Sequence, residues 1–389
     1  MAPPGLKGLV VADTAIGDVR GAEGFFHYRQ HSAVELARHC GFEDAWHLLW
    51  EGRLPSPAER VRLLERTAAR RGLPASVQRA LPAVVDTGAP PLIQLSTAVG
   101  LTAGALGTRP LLDLTQEQRA EDARRLAATV PTLVAALHRL GRGLAPVEPD
   151  PTLSTAADLL RMLHGTPPGA QEASALDRYL VLTADHGFNA STFTARVIAS
   201  TGADLGACVV GALGALSGPL HGGAPSRALD LLDEIGEPSR AGEVVEEKVR
   251  RGERIMGFGH AVYVGEDPRS VLLRQTTLEL GGARAELAVA TEAAVVEVLQ
   301  RLKPQRELRT NVEFFAGVVM ERCGIPPELF SSTFAVSRTV GWCAHILEQA
   351  ASRRLIRPSA RYTGPAPDEP VIAPDEGAWT GGASSSQVP

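Results

Sequence analysis

The sequence predicts an almost wholly helical protein with a short N-terminal β-hairpin or extended arm. Two observations carry that expectation. From Ser32 onward, apolar residues recur at the three-to-four-residue spacing of amphipathic helices. In addition, no strand–helix–strand rhythm, no G-x-G-x-x-G after a strand and no P-loop occurs, so dinucleotide or nucleoside-triphosphate chemistry lacks a motif.

Taken in order, residues 8–29 alternate apolar and polar around Gly17 and Gly21, as an arm or hairpin does. In 32–51, Val34, Leu36, Ala37, Phe42, Ala45, Trp46, Leu48 and Leu49 mark helices broken at Gly41. Ser56 and Glu59 have capping-box spacing, and Pro57 suits a first helical position. A long helix over 114–140 is entered through Thr115, and the Gly, Pro and Asp of 142–153 form a loop. Further helices are expected at 154–164, 171–184, 190–201, 204–217, 225–235, 240–252, 268–280, 283–302, 313–323 and 333–353, with Arg338 near the start of the last. The most apolar stretch, 205–220, is too short and too rich in Gly and Ala for a membrane span, which needs about 20 strongly apolar residues. It reads as a buried helix in close contact with its neighbours. The tail from Pro365 is rich in Pro, Asp, Gly and Ser, and 381–389 is expected to be disordered.

A chain of 389 residues allows one large or two medium domains. Its 44% hydrophobic and 21% charged residues are ordinary for a globular protein. A net charge of -5 argues against nucleic acid or an anionic membrane as a general partner, so an anionic ligand would need locally placed positive charge. Lys7, Lys248 and Lys303 are the only lysines. Codon bias in a GC-rich genome explains that, although planar Arg forks also suit carboxylates and phosphates. Cys40, Cys208, Cys323 and Cys343 are far apart and read as buried free thiols in a reducing cytoplasm. No basic start followed by an apolar run marks a signal peptide, and no metal-ligand spacing is visible.

Three of the ten histidines lie in glycine-rich turns: Asp185-His186-Gly187-Phe188-Asn189, Gly218-Pro219-Leu220-His221-Gly222-Gly223 and Gly257-Phe258-Gly259-His260. Flanking glycines let backbone and ligand come close. Asp267-Pro268-Arg269 and Ser337-Arg338 follow, and together they point to a site for an anionic ligand. Each also has a plainer reading. Arg338 could cap or pair within its helix, Asp267-Pro268-Arg269 could be only a turn, and Glu313 could face solvent on an amphipathic helix. His27, His31, His39, His47, His138, His164 and His345 are taken as structural or solvated.

In this order the motifs resemble the citrate synthase family over nearly the whole chain. They are TAIGDVRGAEGFFHYR (14–29), ADHGFNAST (184–192), GPLHGGA (218–224), MGFGHAVY (256–263), NVEFFAG (311–317), and FAVSRTVGWCAHILEQ through LIRP (334–358). The likeness is greatest to the short dimeric second citrate synthase (citrate/2-methylcitrate synthase) of high-GC bacteria. It implies an all-α, two-domain dimer with residues 1–224 and 319–364 in a large domain, 225–318 in a small domain, and 365–389 as a tail. It also implies condensation of acetyl-CoA with oxaloacetate and hydrolysis of the thioester, with no permanently bound cofactor. By the same resemblance Glu313 is the base, His221 the donor to the thioester oxygen, and His260 the group that polarises the ketone. His186, Arg269 and Arg338 hold carboxylates, with Arg357 donated by the other subunit. Gly257, Phe258, Gly259 and Ala261 lie beside coenzyme A.

The chain departs from the family pattern at three places. Glu313 stands where most members have Asp, one methylene shorter. Ala261 and Val264 occupy positions where many members carry a basic residue near coenzyme A, which leaves Arg227, Arg254 or Arg274 to compensate. Pro225 replaces the usual Asn and suits the first turn of a helix. Two alternatives stay open: a 2-methylcitrate synthase using propionyl-CoA, since one methylene is worth only about 1–3 kcal/mol in a pocket, and a weakly active or non-catalytic regulatory paralogue.

Overall fold

The computed structural model describes residues 2–6, 8–221, 225–260, 262–305, 308–365 and 367, and of 225–228 the backbone only. The chain falls into two units, Met1–Leu355 and Ile356–Pro389. Residues 356–365 of the second carry neither helix nor strand.

The N-terminal arm is a hairpin with one short addition. Strand β1 (Gly17–Arg20) pairs antiparallel with β2 (Phe25–Tyr28), and β2 pairs with the two-residue β3 (His31–Ser32). The helices that follow, in chain order, are α1 (Ala33–His39), α2 (Phe42–Glu51), α3 (Pro57–Ala68), α4 (Ala75–Val85), α5 (Pro91–Leu106), α6 (Gln116–Gly141), α7 (Thr155–His164) and α8 (Ala170–Thr183). Then come α9 (Ala190–Ser200), α10 (Leu205–Leu216), α11 (Pro225–Ile235), α12 (Ala241–Arg250), α13 (Pro268–Leu280), α14 (Ala283–Leu302), α15 (Val312–Arg322) and α16 (Phe330–Ser352). Helices α4 and α5, unassigned from sequence, form despite Pro82 inside α4 and behind Pro91 at the start of α5.

Local chemistry sets most helix starts. Ser56 and Glu59 satisfy each other's backbone N–H at the head of α3, and Thr115 and Gln118 do the same for α6. Asn189, Asp267 and Asn311 cap α9, α13 and α15, so three caps stand at the segments that carry the histidine motifs and Glu313. Helix α16 begins at Phe330, earlier than the sequence suggested. Arg338 therefore lies in its interior and caps nothing.

The core draws on α6, α8, α15 and α16, with Trp342, Tyr179, Phe314 and Phe315 fully buried. Helix α10 lies tightly against α5 and α9: a Cβ on Gly206 would fall 2.2 Å from the Ala103 side chain, and one on Gly211 would fall 2.1 Å from that of Ile198. The expected close helix contact is thus real. Among the described residues no helix is long and apolar enough to cross a membrane. Cys208, Cys323 and Cys343 are buried thiols; Cys40 departs from expectation in being partly exposed.

Candidate active site

Helix α8 ends in the turn that holds His186. Gly341 on α16 permits this close approach, because a Cβ there would lie 2.0 Å from the carbonyl oxygen of Ala184. The Tyr28 hydroxyl, reaching in from β2, donates to the Val181 carbonyl at 2.8 Å and accepts the Asp185 N–H at 3.2 Å. The His186 ring then meets His260 and Tyr263, with Nε2 2.9 Å from the Tyr263 hydroxyl. Burial, and then Arg269 and Arg338, hold its pKa well below the ordinary histidine value, so the ring is neutral.

Residues 257–260 form a tight loop zipped to the segment before α15. Gly259 N–H donates to Arg309 O at 2.8 Å, Asn311 N–H to Gly257 O at 2.9 Å, and Asn311 Nδ2 to Gly259 O at 3.0 Å. Gly257, at φ 83°, leaves no room for a side chain, since a Cβ would sit 2.9 Å from Phe314. The histidine loop is therefore tied directly to the start of the Glu313 helix.

Nδ1 of His260 accepts the backbone N–H groups of Val262 (2.9 Å) and Tyr263 (3.0 Å). Two backbone donors on one nitrogen place the proton of the neutral ring on Nε2. Burial and the neighbouring Arg269 hold its pKa down at about 4. Arg269 itself is clamped by Asp267, which accepts from its Nε at 2.9 Å and its Nη2 at 2.8 Å. The same carboxylate accepts the Val312 N–H at 3.0 Å, in the first turn of α15. One residue further on is Glu313, whose pKa is raised by burial, with Arg269 opposing.

Nε2 of His221 accepts the Ser191 N–H at 3.2 Å and lies 2.8 Å from Ser191 Oγ. That backbone N–H heads α9 and can only donate. The proton of neutral His221 is therefore on Nδ1. Burial, then Arg338, lower its pKa. Ser191 is held in turn by Asn189 Oδ1 at 2.8 Å and by the Trp342 indole N–H at 3.1 Å.

Arg338 is 2% exposed and forms no ion pair among the described residues. Its Nε donates to the Thr183 carbonyl at 2.8 Å, and its guanidinium stacks 4.5 Å over Phe334. A buried guanidinium without a carboxylate partner is costly to maintain, and an incoming anion would offset that cost.

The structure thus gathers His186, His260 and Arg269 by direct contact, and ties Glu313 to them through Asp267 and Asn311. Arg338 is close enough to lower the pKa of both His186 and His221. Gly257 and Gly259 adopt positive φ as close approach demands, and the Phe258 ring packs 5.2 Å from that of Phe314. Arg357 is exposed and belongs to the second unit. Ala261, Gly222, Gly223 and Ala224 lie outside the described residues, as do the Arg227 side chain and the tail 381–389. Of the compensating arginines, Arg274 is engaged with Glu292 at 2.6 Å, while Arg254 is exposed; Val264 is exposed too. Sequence reasoning missed Asp267 as a clamp, Ser191 as the partner of His221, and Tyr263. The first had a legible signal, because an Asp before Pro at a helix start is a strong cap.

Residues 5–359 match the family model for citrate synthase, C-terminal domain. The chain is 39% identical over 373 residues to a putative citrate synthase 2 of Mycobacterium tuberculosis, covering 94% of each chain. It is 37% identical to a citrate synthase of Haloferax volcanii, covering 92% of this chain and 95% of that one. In three dimensions it resembles the citrate synthase of Thermoplasma acidophilum in its ternary complex with carboxymethyl coenzyme A and oxaloacetate, at a TM-score of 0.85 and 26% identity over 96% of this chain and 98% of that one. The histidine turns, the Asp267–Arg269 clamp and the match along almost the entire length lead to one conclusion: the chain belongs to the citrate synthase family and is an enzyme of the acyltransferase type.

Proposed function

We propose that this enzyme condenses acetyl-CoA with oxaloacetate and hydrolyses the resulting citryl-CoA to citrate and coenzyme A. The observation that carries the reading is the pair of donors His260 Nε2–H and Arg269 Nη2, 3.2 Å apart. Neither can accept from the other, so both suit one oxygen-rich ligand placed between them.

The steps follow from the protonation states. The Glu313 carboxylate removes a proton from the acetyl methyl group, while Nδ1–H of His221 donates to the thioester oxygen where enolate charge develops. The enolate carbon attacks the oxaloacetate ketone, whose oxygen takes the proton from Nε2 of His260. Water then cleaves the thioester and releases the thiol. His186, Arg269, Arg338 and Arg357 of the partner subunit hold the two carboxylates, and fixing both reactants this way is worth roughly 7–11 kcal/mol. Coenzyme A runs along Gly257, Phe258, Gly259 and Ala261, with exposed Arg254 as a phosphate contact in place of Val264. We assign 1–224 and 319–364 to a large domain, 225–318 to a small domain that closes over the substrates, and the assembly to a cytoplasmic homodimer.

The test is release of free thiol from purified protein given oxaloacetate with acetyl-CoA or propionyl-CoA. Faster turnover with acetyl-CoA is expected. A higher specificity constant for propionyl-CoA makes it a 2-methylcitrate synthase instead, and no thiol from either at high enzyme concentration leaves only binding.

A further inference from the structure

Behind the His186 turn runs a buried chain of charged groups that the proposed chemistry does not use. Nε2 of His345 lies 3.1 Å from Asp185 Oδ1, and its Nδ1 lies 2.9 Å from Nη1 of Arg196. His345 and Asp185 are 0% and 1% exposed. A carboxylate only accepts and a guanidinium only donates, so the imidazole between them has one possible neutral tautomer, with its proton on Nε2. The second Asp185 oxygen accepts the Gly187 N–H at 3.2 Å, across the turn that carries His186. At the far end Arg196 pairs with Glu348 at 2.7 Å, and Glu348 accepts the Ala15 N–H at 2.8 Å. Phe188, from the same turn, packs edge-on to His345 and under the Arg196 guanidinium at 4.8 Å.

We infer that His345 is a positioning residue for oxaloacetate binding: it orients Asp185, and Asp185 holds the backbone turn that aims His186 into the cleft. The inference rests on the proposed role of His186 as a carboxylate donor. A satisfied polar core would need only the His345–Asp185 bond. Here the other Asp185 oxygen is committed to the backbone of the turn, whose residue Gly187 at φ 61° gives the segment freedom to move when released. Loss of the His345 donor leaves Oδ1 unpaired in the interior. The carboxylate then rotates to find another donor and lets go of Gly187.

The experiment measures kcat and both KM values in the full-length enzyme for His345→Leu and His345→Gln, with His186→Ala alongside. For His345→Leu the KM for oxaloacetate should rise about tenfold, while kcat and the KM for acetyl-CoA stay within about twofold. Glutamine supplies one donor and one acceptor, so His345→Gln should recover most of that loss. An unchanged oxaloacetate KM in His345→Leu, or a fall in kcat alone, would overturn the inference. Should that variant not fold, Asp185→Asn decides: its amide can keep the His345 bond but turns an N–H toward Gly187, and a flat oxaloacetate KM counts against the proposal. If His186→Ala itself leaves the oxaloacetate KM unchanged, the role of His186 fails and this inference falls with it. If His186→Ala raises that KM and His345→Leu does not, only the inference falls.

Discussion

Nη2 of Arg269 lies 3.2 Å from Nε2 of His260, whose opposite nitrogen is occupied by two backbone N–H groups. The pair is therefore donor against donor, and the ring is kept neutral, with a pKa of about 4 against an ordinary 6.5. Between those values the unfolded chain binds a proton that the native state does not. His260 thus makes stability rise with pH across that window, and the contribution, complete above pH 6.5, is lost as pH falls toward 4. His260→Gln should flatten the drop in melting temperature between neutral and mildly acidic pH. An identical drop in the variant would show that the ring titrates normally.

Glu313 has the opposite sign. Burial raises its pKa, so ionising it costs more in the native state than in the unfolded chain, and stability falls as pH rises above the ordinary carboxylate range. The reaction needs the ionised form. Glu313→Gln should therefore melt higher than the parent at neutral pH while losing exchange of the acetyl-CoA methyl protons with solvent. Glu313→Asp retracts the base by on the order of 1 Å and should cost about 10²-fold in kcat. Retained proton exchange in the glutamine variant would remove Glu313 from the base role.

Asp267 grips Arg269 and the first turn of α15 with one carboxylate. Its replacement should disturb carboxylate binding and the placement of the base together. For Asp267→Asn we expect a rise in the oxaloacetate KM with a simultaneous fall in kcat, about 10²-fold in kcat/KM. Steady-state kinetics in which only one parameter moves would show that the two functions are not coupled through this residue.

Arg357 can be tested by subunit complementation. If it serves the neighbouring subunit's site, co-expressed Glu313→Gln and Arg357→Ala chains form mixed dimers with one intact site. Half the dimers are mixed, so about one quarter of parental activity should return. If Arg357 serves its own subunit, every site in the mixture is defective and activity stays near zero.

Much of the fold was legible because helices are written locally. The Ser56–Glu59 box, the entry to α6 through Thr115, the break at Gly41 and the small residues of α10 each act over a few residues. Less legible was anything that depends on partners far along the chain. Arg338 looked like a residue near a helix start, yet it is an interior residue donating to Thr183. His345 read as an ordinary structural histidine, and only its contacts with Asp185 and Arg196 show a defined tautomer.

By itself the sequence determined the helical class, the order of the segments and the residue types that could bind and deprotonate, since spacing, capping and side-chain chemistry are properties of short stretches. Only the tertiary structure decided which nitrogen bears the proton in neutral His221, His260 and His345, that Arg338 is buried without a carboxylate partner among the described residues, and that Asp267 couples Arg269 to the helix of Glu313. The physical reason is that hydrogen-bond partners and desolvation are set by groups brought together from distant parts of the chain, and those groups fix the charge and direction of each side chain.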